Sequence, residues 1–177
     1  DKSCAGTHIL DPDLSEGLGG KRPMLFADKG VTKAGVTRKI ENLFSMVPGT
    51  RLAGVYDEVQ QDAKSAQIDK AIAFYKESNA DSIIAIGGGS VLDTAKAVKW
   101  AISNKVKSMA EALTGNIIEV WPQAQHMGIP HVSIATTAGT GAEVSAISVV
   151  LNERMGVKVN LLNPFIGSDI AVLDPDL

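Results

Sequence analysis

The sequence is poor in cysteine, in aromatic residues and in unbalanced charge. Cys4 is the only cysteine among 177 residues, so an internal disulfide is excluded, and we expect an inert thiol and a cytoplasmic location. Aromatic residues make up 5% of the chain, and the remaining mixture of small and β-branched apolar residues favours buried strands packed beneath helices. The formal net charge of −3 is too small to indicate nucleic acid as a partner.

Long apolar runs and secretory signals are also missing from the sequence. No segment approaches the roughly 18 consecutive apolar residues that a membrane helix needs. Residues 1–10 contain no basic segment followed by an apolar core, as a secretory signal would. We therefore expect no membrane partner. Because the chain begins without Met and stops at Leu177, we expect a fragment or a processed form.

Motifs for metal binding and nucleophilic catalysis are absent as well. The three histidines, His8, His126 and His131, show no metal-ligand spacing, so the sequence predicts no metal site. Ser90 lacks the Gly-x-Ser-x-Gly context of a hydrolase nucleophile. No Gly-Lys-Ser/Thr segment follows the glycines, which disfavours a P-loop. The sequence assigns no catalytic residue.

Short apolar segments alternate with helical patterns along most of the chain. The predicted strands are residues 24–27, 52–56, 82–86, 131–135 and 170–173, and the predicted helices are residues 31–47, residues 65–77 and a segment from about residue 90 to residue 102. This alternation predicts an α/β fold, with a Rossmann-like, mainly parallel sheet and flanking helices, in one domain over residues 1–177.

Two segments depart from that alternation. Residues 147–151 and 157–162 flank a five-residue polar segment, a pattern that predicts a β-hairpin. Residues 107–130 are rich in polar residues and contain Trp121-Pro122. They predict an irregular excursion with two candidate short helices between strand units.

Three successive glycines, Gly87, Gly88 and Gly89, separate a predicted buried strand from a helix that starts near Ser90. Backbone without side chains lets a pyrophosphate approach closely, and the unpaired N–H groups and dipole of the helix attract an anion. The alternative is a simple turn in which Ser90 and Asp93 form a capping box. Because capping needs only one small residue, we favour phosphate binding.

A second loop of small and hydroxyl-bearing residues follows the predicted strand at residues 131–135. It contains Thr136, Thr137 and Thr140 together with two glycines. Threonine hydroxyls can donate to phosphate or ribose oxygens, although such a loop could also cap its own backbone. Ligands of open α/β sheets bind outside the carboxyl ends of the strands, so two such loops favour one nucleotide site.

Asp28 and Lys158 are candidate polar residues at the two sides of this site. Asp28 ends the first predicted strand, where a carboxylate can accept hydrogen bonds from both hydroxyls of an adenosine ribose. It would also repel a 2′-phosphate, which favours NAD over NADP. A helix cap explains Asp28 equally well. Lys158 in the hairpin could reach a ribose or the substrate, or could be an ordinary surface lysine.

The two loops resemble motifs of the iron-containing (group III metal-dependent) alcohol dehydrogenases. Residues 87–96 read GGGSVLDTAK and are similar to the family segment GGGSxxDxAK. Residues 136–143 read TTAGTGAE and are similar to TTAGTGSE. Asp28-Lys29-Gly30 and the closing residues 171–177 also fit in order and spacing.

This resemblance implies the N-terminal nucleotide-binding domain of an NAD-dependent oxidoreductase. The full enzyme would interconvert alcohols and aldehydes, and the chain alone is expected to be inactive. Hydroxyacid or polyol dehydrogenases of the same superfamily are alternatives, as is a non-catalytic nucleotide-binding module. The family's divalent metal, iron or zinc, belongs to a helical C-terminal domain absent from this chain. A homodimer is expected by analogy.

The resemblance also assigns roles to residues in the cofactor site. Gly88, Gly89 and Ser90 would contact the pyrophosphate, and Val149 and Lys158 would lie near the nicotinamide ribose. The full set expected to bind the cofactor is Asp28, Gly87, Gly88, Gly89, Ser90, Asp93, Thr136, Thr137, Thr140, Val149 and Lys158. Two departures from the family pattern are Gln-Asp-Ala at residues 61–63, in place of a proline-flanked Asn, and Ala142 in place of Ser.

Overall fold

The computed structural model describes residues 19–46, 48–175 and 177. Cys4, His8 and the N-terminal residues 1–10 lie outside these ranges. In chain order the elements are β1 (Pro23–Phe26), α1 (Lys29–Lys33), α2 (Val36–Met46), β2 (Gly54–Tyr56), α3 (Ser65–Glu77), β3 (Ser82–Gly87), α4 (Gly89–Ser103), α5 (Met109–Ala112), β4 (Ile117–Ile118), β5 (His131–Ala135), β6 (Ile147–Asn152), β7 (Val157–Leu162) and β8 (Ile170–Leu173).

A five-stranded sheet forms the centre of the molecule, in the order β2-β1-β3-β5-β8. Every neighbouring pair in it is parallel, which confirms the predicted architecture. Parallel strands point the same way, so the carboxyl ends of β1, β3 and β5 lie along one edge. Gly87, the last residue of β3, is level with Ala135, the last residue of β5. The two loops of interest therefore start side by side.

Alternate side chains of the strands pack into two separate apolar cores. Ile83 and Ala85 face the core that contains the buried residues of α3 and α4. Ile84 and Ile86 face the second core, on the side covered by α2. All residues of β1 and β3 are buried, as expected for parallel strands with helices on both faces.

The predicted helix at residues 31–47 is instead two helices, α1 and α2. Gly35 separates them with a φ of +79°, a left-handed conformation that glycine adopts without strain and that ends a helix. Apolar periodicity continues across this break, which is why the sequence pattern predicts a single helix. In the described part of the chain, none of the helices has the length and apolar character needed to cross a membrane.

The predicted hairpin is confirmed, and it belongs to a second, smaller sheet. β6 and β7 pair in antiparallel fashion, and because Asn152 pairs with Val157, the connecting loop has four residues, 153–156. The two-residue strand β4 adds to β7 in parallel, giving the order β4-β7-β6. The excursion at residues 107–130 thus contains one short helix, α5, and one strand where two helices were predicted. A two-residue strand is too short to produce a periodic signal.

Candidate functional site

The glycine loop after β3 and the threonine loop after β5 are in direct contact. The Thr136 N–H donates to the Gly87 carbonyl at 3.1 Å, which continues the strand pairing into the loops. A Cβ added to Gly88 would lie 3.2 Å from Thr137 Oγ1, and one added to Gly89 would lie 3.0 Å from Thr140 Cγ2. Side chains on these two glycines would therefore push the loops apart.

Gly87 is required for a different reason. A Cβ at this position would lie 2.6 Å from Val91 Cγ2, in the first turn of α4. The three positions thus require glycine for different structural reasons. Gly87 makes room for the helix, and Gly88 and Gly89 make room for the threonine loop. A helix cap alone would not need all three.

The start of α4 does not use the capping box that the sequence allowed. The N-cap residue is Gly88, and no side chain caps the helix there. Ser90 Oγ instead accepts a hydrogen bond from the Asp62 N–H at 3.0 Å. A hydroxyl that accepts in this way keeps its own proton for donation. The first N–H groups of α4 have no partners within the helix, so this end of the helix is suited to an anion.

A cleft of about 350 Å³ opens in front of the glycine loop. It brings together four segments that are distant in sequence, and its lining is Asp28, Val59, Gln60, Gln61, Gly88, Gly89, Ser90, Val91 and Thr137. A volume of this size is typical of the lower end of small-molecule sites. Asp28 and Thr137, from different strand ends, face the same space.

A second cleft of about 670 Å³ continues on the other side of the threonine loop. Thr136 lines it together with the loop glycines, Glu143 and the residues that follow β8. Thr137 lines both clefts, so the two spaces adjoin at this residue. Together they form an extended groove along the carboxyl edge of the sheet, a shape suited to a long ligand.

Asp28 has the helix-capping role that the sequence allowed. Its Oδ1 accepts from the Gly30 N–H at 2.7 Å and from the Val31 N–H at 3.0 Å, which caps α1. Both bonds go to one carboxylate oxygen. Because Asp28 also lines the cleft, capping and a ribose contact are compatible, and the ribose contact stays a prediction.

Asp93 and Val149 lie at the junction between α4 and the hairpin. Asp93 Oδ2 accepts from the Val149 N–H at 3.2 Å, and the Asp93 carbonyl accepts from Ser148 Oγ at 2.8 Å. Burial raises the pKa of Asp93, an effect opposed by the Lys96 cation and by the Val149 N–H. Asp93 therefore fixes the position of β6 relative to the glycine loop.

Lys96 is a structural residue that the sequence reasoning did not identify. Its side chain is fully buried and its Nζ donates to the Ile147 carbonyl at 2.6 Å and to Ser145 Oγ at 3.0 Å. It also lies 3.4 Å from Asp93 Oδ1. Burial lowers the pKa of Lys96, and Asp93 opposes this shift. The only sequence signal is a lysine among the buried positions of α4, three residues after an aspartate.

Lys158 contacts the glycine loop indirectly, through Asp62. Its Nζ lies 2.6 Å from Asp62 Oδ1, and the Asp62 N–H is the group that donates to Ser90. Asp62 and Ala63 both have left-handed φ values, +73° and +43°. Asp62 is one of the residues at which the sequence departs from the family pattern, and the structure makes it the link between the hairpin and α4.

Among the residues that the structure describes, no group of three His, Cys, Asp or Glu side chains could hold a metal ion. His131 is fully buried at the amino end of β5, and its Nδ1 has no hydrogen-bond partner. Burial, and then the nearby cations of Lys99 and Lys96, hold the pKa of His131 well below its usual range. His131 is therefore a neutral core residue on the edge opposite to the cleft.

Comparison with known proteins points to one family. The family model for iron-containing alcohol dehydrogenases matches residues 9–175. A 4-hydroxybutyrate dehydrogenase from Cupriavidus necator is 31% identical over 163 residues, which are 92% of this chain and 40% of that protein. The mitochondrial hydroxyacid-oxoacid transhydrogenase of Caenorhabditis elegans is 33% identical over 162 residues, or 89% of this chain and 33% of that protein.

A solved structure shares the same fold. The iron-containing alcohol dehydrogenase of Thermococcus thioreducens superposes with a TM-score of 0.79 at 26% sequence identity, over 98% of this chain and 45% of that one. This match agrees with the Rossmann-like fold expected from the sequence. The chain spans about 40% of the length of the curated relative from Cupriavidus necator.

Proposed function

The chain belongs to the iron-containing alcohol dehydrogenase family, and we propose that residues 1–177 are the NAD(H)-binding domain of an oxidoreductase that interconverts alcohols and aldehydes. The observation that carries the proposal is the contact between the glycine and threonine loops. It leaves a cleft lined by side-chain-free backbone at Gly88 and Gly89, the N-terminus of α4, and Asp28. These are the features that a dinucleotide requires at its diphosphate and its adenosine ribose.

The residues of the cleft fit the diphosphate in charge and in shape. The backbone N–H groups of Gly89 and Ser90 lie in the first turn of α4, where an anion would meet unpaired donors and the positive end of the helix dipole. The Ser90 hydroxyl accepts from Asp62 and would donate its own proton to a phosphate oxygen. Thr137 and Thr140, packed on the glycines, would add hydroxyl donors.

The two riboses would lie at Asp28 and at the hairpin, whose residues Val149 and Lys158 do not line either cleft. Asp28, which lines the first cleft, would accept hydrogen bonds from the adenosine ribose. Val149 and Lys158 on the hairpin would flank the nicotinamide ribose, with Asp93 fixing the backbone of Val149. The nicotinamide, when bound, accepts or donates a hydride. The part of this chain is to bind and orient the dinucleotide, and no metal-dependent step is assigned to it because its described residues offer no metal site.

Hydroxyacid and oxoacid interconversion is the second candidate for the substrate class. It is favoured by the relative from Cupriavidus necator, a 4-hydroxybutyrate dehydrogenase at 31% identity. A comparison of 4-hydroxybutyrate with 1-butanol as substrates of the full gene product would separate the two candidates. These compounds share a four-carbon chain and a primary alcohol and differ in the carboxylate. Preference for butanol supports the first candidate, and preference for the acid supports the second.

A fluorescence titration of the 177-residue chain with NADH tests the proposal. Binding should enhance nicotinamide fluorescence to saturation, and ADP should compete because it carries the diphosphate and the adenosine ribose. NADPH should bind more weakly, since its 2′-phosphate would meet Asp28. The same chain should oxidise no alcohol by itself. Failure of NADH to bind would overturn the proposal.

A further inference from the structure

An ion pair bridges the hairpin and the turn that precedes α3. Lys158 Nζ in β7 lies 2.6 Å from Asp62 Oδ1, and their side chains are 57% and 34% exposed. The Asp62 carbonyl accepts from the Leu151 N–H at 3.2 Å, so the backbone of the turn is also attached to β6. The position of Asp62 relative to the hairpin is thus fixed twice, by a charge contact and by a backbone contact.

The same residue is attached to the proposed phosphate site. The Asp62 N–H donates to Ser90 Oγ at 3.0 Å, and Ser90 lines the cleft next to Gly88 and Gly89. The Asp62 backbone is therefore held beside the start of α4, where the diphosphate would bind, and its carboxylate belongs to the residue that follows the cleft-lining Gln61. Without a counter-charge, this carboxylate would repel that diphosphate and offset part of the attraction from the helix N-terminus.

Lys158 supplies this counter-charge. Its ammonium contacts the Asp62 carboxylate directly, so the pair adds no net charge to the edge of the cleft. Lys158 could therefore affect cofactor binding in two distinct ways. It could touch the ribose by itself, or it could act by neutralising Asp62.

We propose that Asp62 and Lys158 act as a coupled positioning pair, in which Lys158 supports dinucleotide binding mainly by neutralising and holding the Asp62 carboxylate beside the diphosphate site. The proposal rests on the NAD(H)-binding function above and deepens it. It concerns Asp62, a residue outside the set that the sequence assigns to the cofactor. The loss of Lys158 should accordingly weaken dinucleotide binding, because it leaves an unpaired negative charge near the phosphates.

A double-mutant cycle tests this coupling. The affinity for NADH is measured by fluorescence for the wild-type chain, Lys158→Met, Asp62→Asn and the double variant. Asn tolerates the left-handed φ of residue 62 and keeps the backbone N–H that donates to Ser90. Lys158→Met should weaken binding about tenfold at low salt, and adding Asp62→Asn should recover about three- to tenfold, as expected for one partly screened charge.

The matched control is Arg154→Met, which removes one positive charge from the turn of the same hairpin. The Arg154 side chain is exposed, and the N–H that donates to Asn152 Oδ1 belongs to its backbone. The affinity of the Arg154→Met variant for NADH should stay within twofold of that of the wild type. In addition, the defect of Lys158→Met should shrink as salt is raised to about 0.5 M, since salt screens the exposed carboxylate. A purely structural defect would not respond to salt in this way.

The outcomes separate this inference from the proposed function. If the wild-type chain binds no NADH, the function and the inference both fail. Suppose instead that the wild type binds NADH, and that Lys158→Met binds it equally weakly whether residue 62 is Asp or Asn. Lys158 then acts directly on the cofactor, and the proposed coupling is wrong. If Lys158→Met behaves like Arg154→Met, the pair has no role in binding. Recovery in the double variant, together with salt sensitivity, supports the proposal.

Discussion

Gly88 and Thr137 belong to different loops, yet a Cβ on Gly88 would lie only 3.2 Å from Thr137 Oγ1. The absence of a side chain at Gly88 thus has two consequences. It lets the threonine loop pack against the glycine loop, and it leaves bare backbone at the helix N-terminus for a phosphate group. Phosphate binding and loop packing depend on the same small residue.

Replacement of Gly88 by Val should abolish NADH binding while the chain stays folded. The branched side chain would collide with Thr137 and extend into the cleft, so we expect affinity to fall at least about a hundredfold, comparable to the loss of several hydrogen bonds. Titration with NADH measures the affinity, and thermal unfolding monitored by circular dichroism verifies the fold.

Gly115→Val is the matched control for that variant. A Cβ at Gly115 meets no atom within 4 Å, so the same substitution there should leave NADH affinity unchanged. Undiminished binding by Gly88→Val would show that the diphosphate does not use this backbone.

Asp28→Asn should reduce the preference for NADH over NADPH by about tenfold, the effect of one charge-assisted hydrogen bond. Asn caps a helix about as well as Asp, so the cap on α1 should persist and the midpoint of thermal unfolding should change little. Titrations with both cofactors measure the preference. Glu41→Gln removes an exposed charge from α2 and should leave the preference unchanged. Equal affinities of the wild type for the two cofactors would rule out the role given to Asp28.

Lys96→Met should destabilise the chain by about 3 kcal/mol, the cost of leaving one member of a buried ion pair without its partner. The variant removes the donor to the Ile147 carbonyl and uncovers the Asp93 charge. Urea unfolding measures the free energy. Adding Asp93→Asn should restore part of the loss, because the buried charge is then gone. Lys70→Met, at an exposed site of α3, is the control, and an equal effect of both lysine variants would contradict this account.

Stability should fall as the pH drops below about 6.5, the pKa of histidine in an unfolded chain. Burial keeps His131 neutral in the folded state, so below that pH the unfolded chain binds one more proton than the folded chain does. This single group should lower the free energy of unfolding by about 2 kcal/mol between pH 7.5 and pH 5. Above about pH 7.5 its contribution is nearly constant.

Urea unfolding of His131→Gln at pH 7.5 and at pH 5 isolates the contribution of His131 to this loss of stability. The variant should lose about 2 kcal/mol less than the wild type over this interval. His126→Gln, which replaces an exposed histidine, should follow the wild type. Identical pH dependence in His131→Gln and the wild type would show that His131 takes up a proton in the folded state as well.

The sequence was sufficient for the elements that have strong local signals. The buried strand before Gly87, the helix at Ser65–Glu77 and the strand at His131–Ala135 are all as predicted, because each combines a clear period with a glycine or polar boundary. The proximity of the two loops could also be predicted from the sequence, because the carboxyl ends of parallel strands lie at one edge of a sheet.

Contacts between distant segments could not be predicted in this way. The bond from Asp62 to Ser90 joins residues 28 positions apart, and the pairing of Lys158 with Asp62 spans 96 positions. Neither has a periodic signal, and the left-handed turn at Asp62 contains no glycine that would indicate it. The break at Gly35 was hidden by continuous apolar spacing. Strand order likewise depends on tertiary packing.

A crystal structure of the chain grown with saturating NADH would test the central claim most directly. The diphosphate should lie against the backbone N–H groups of Gly89 and Ser90, with the adenosine ribose at Asp28. A dinucleotide bound elsewhere on the chain, or a groove without ligand under these conditions, would contradict that claim.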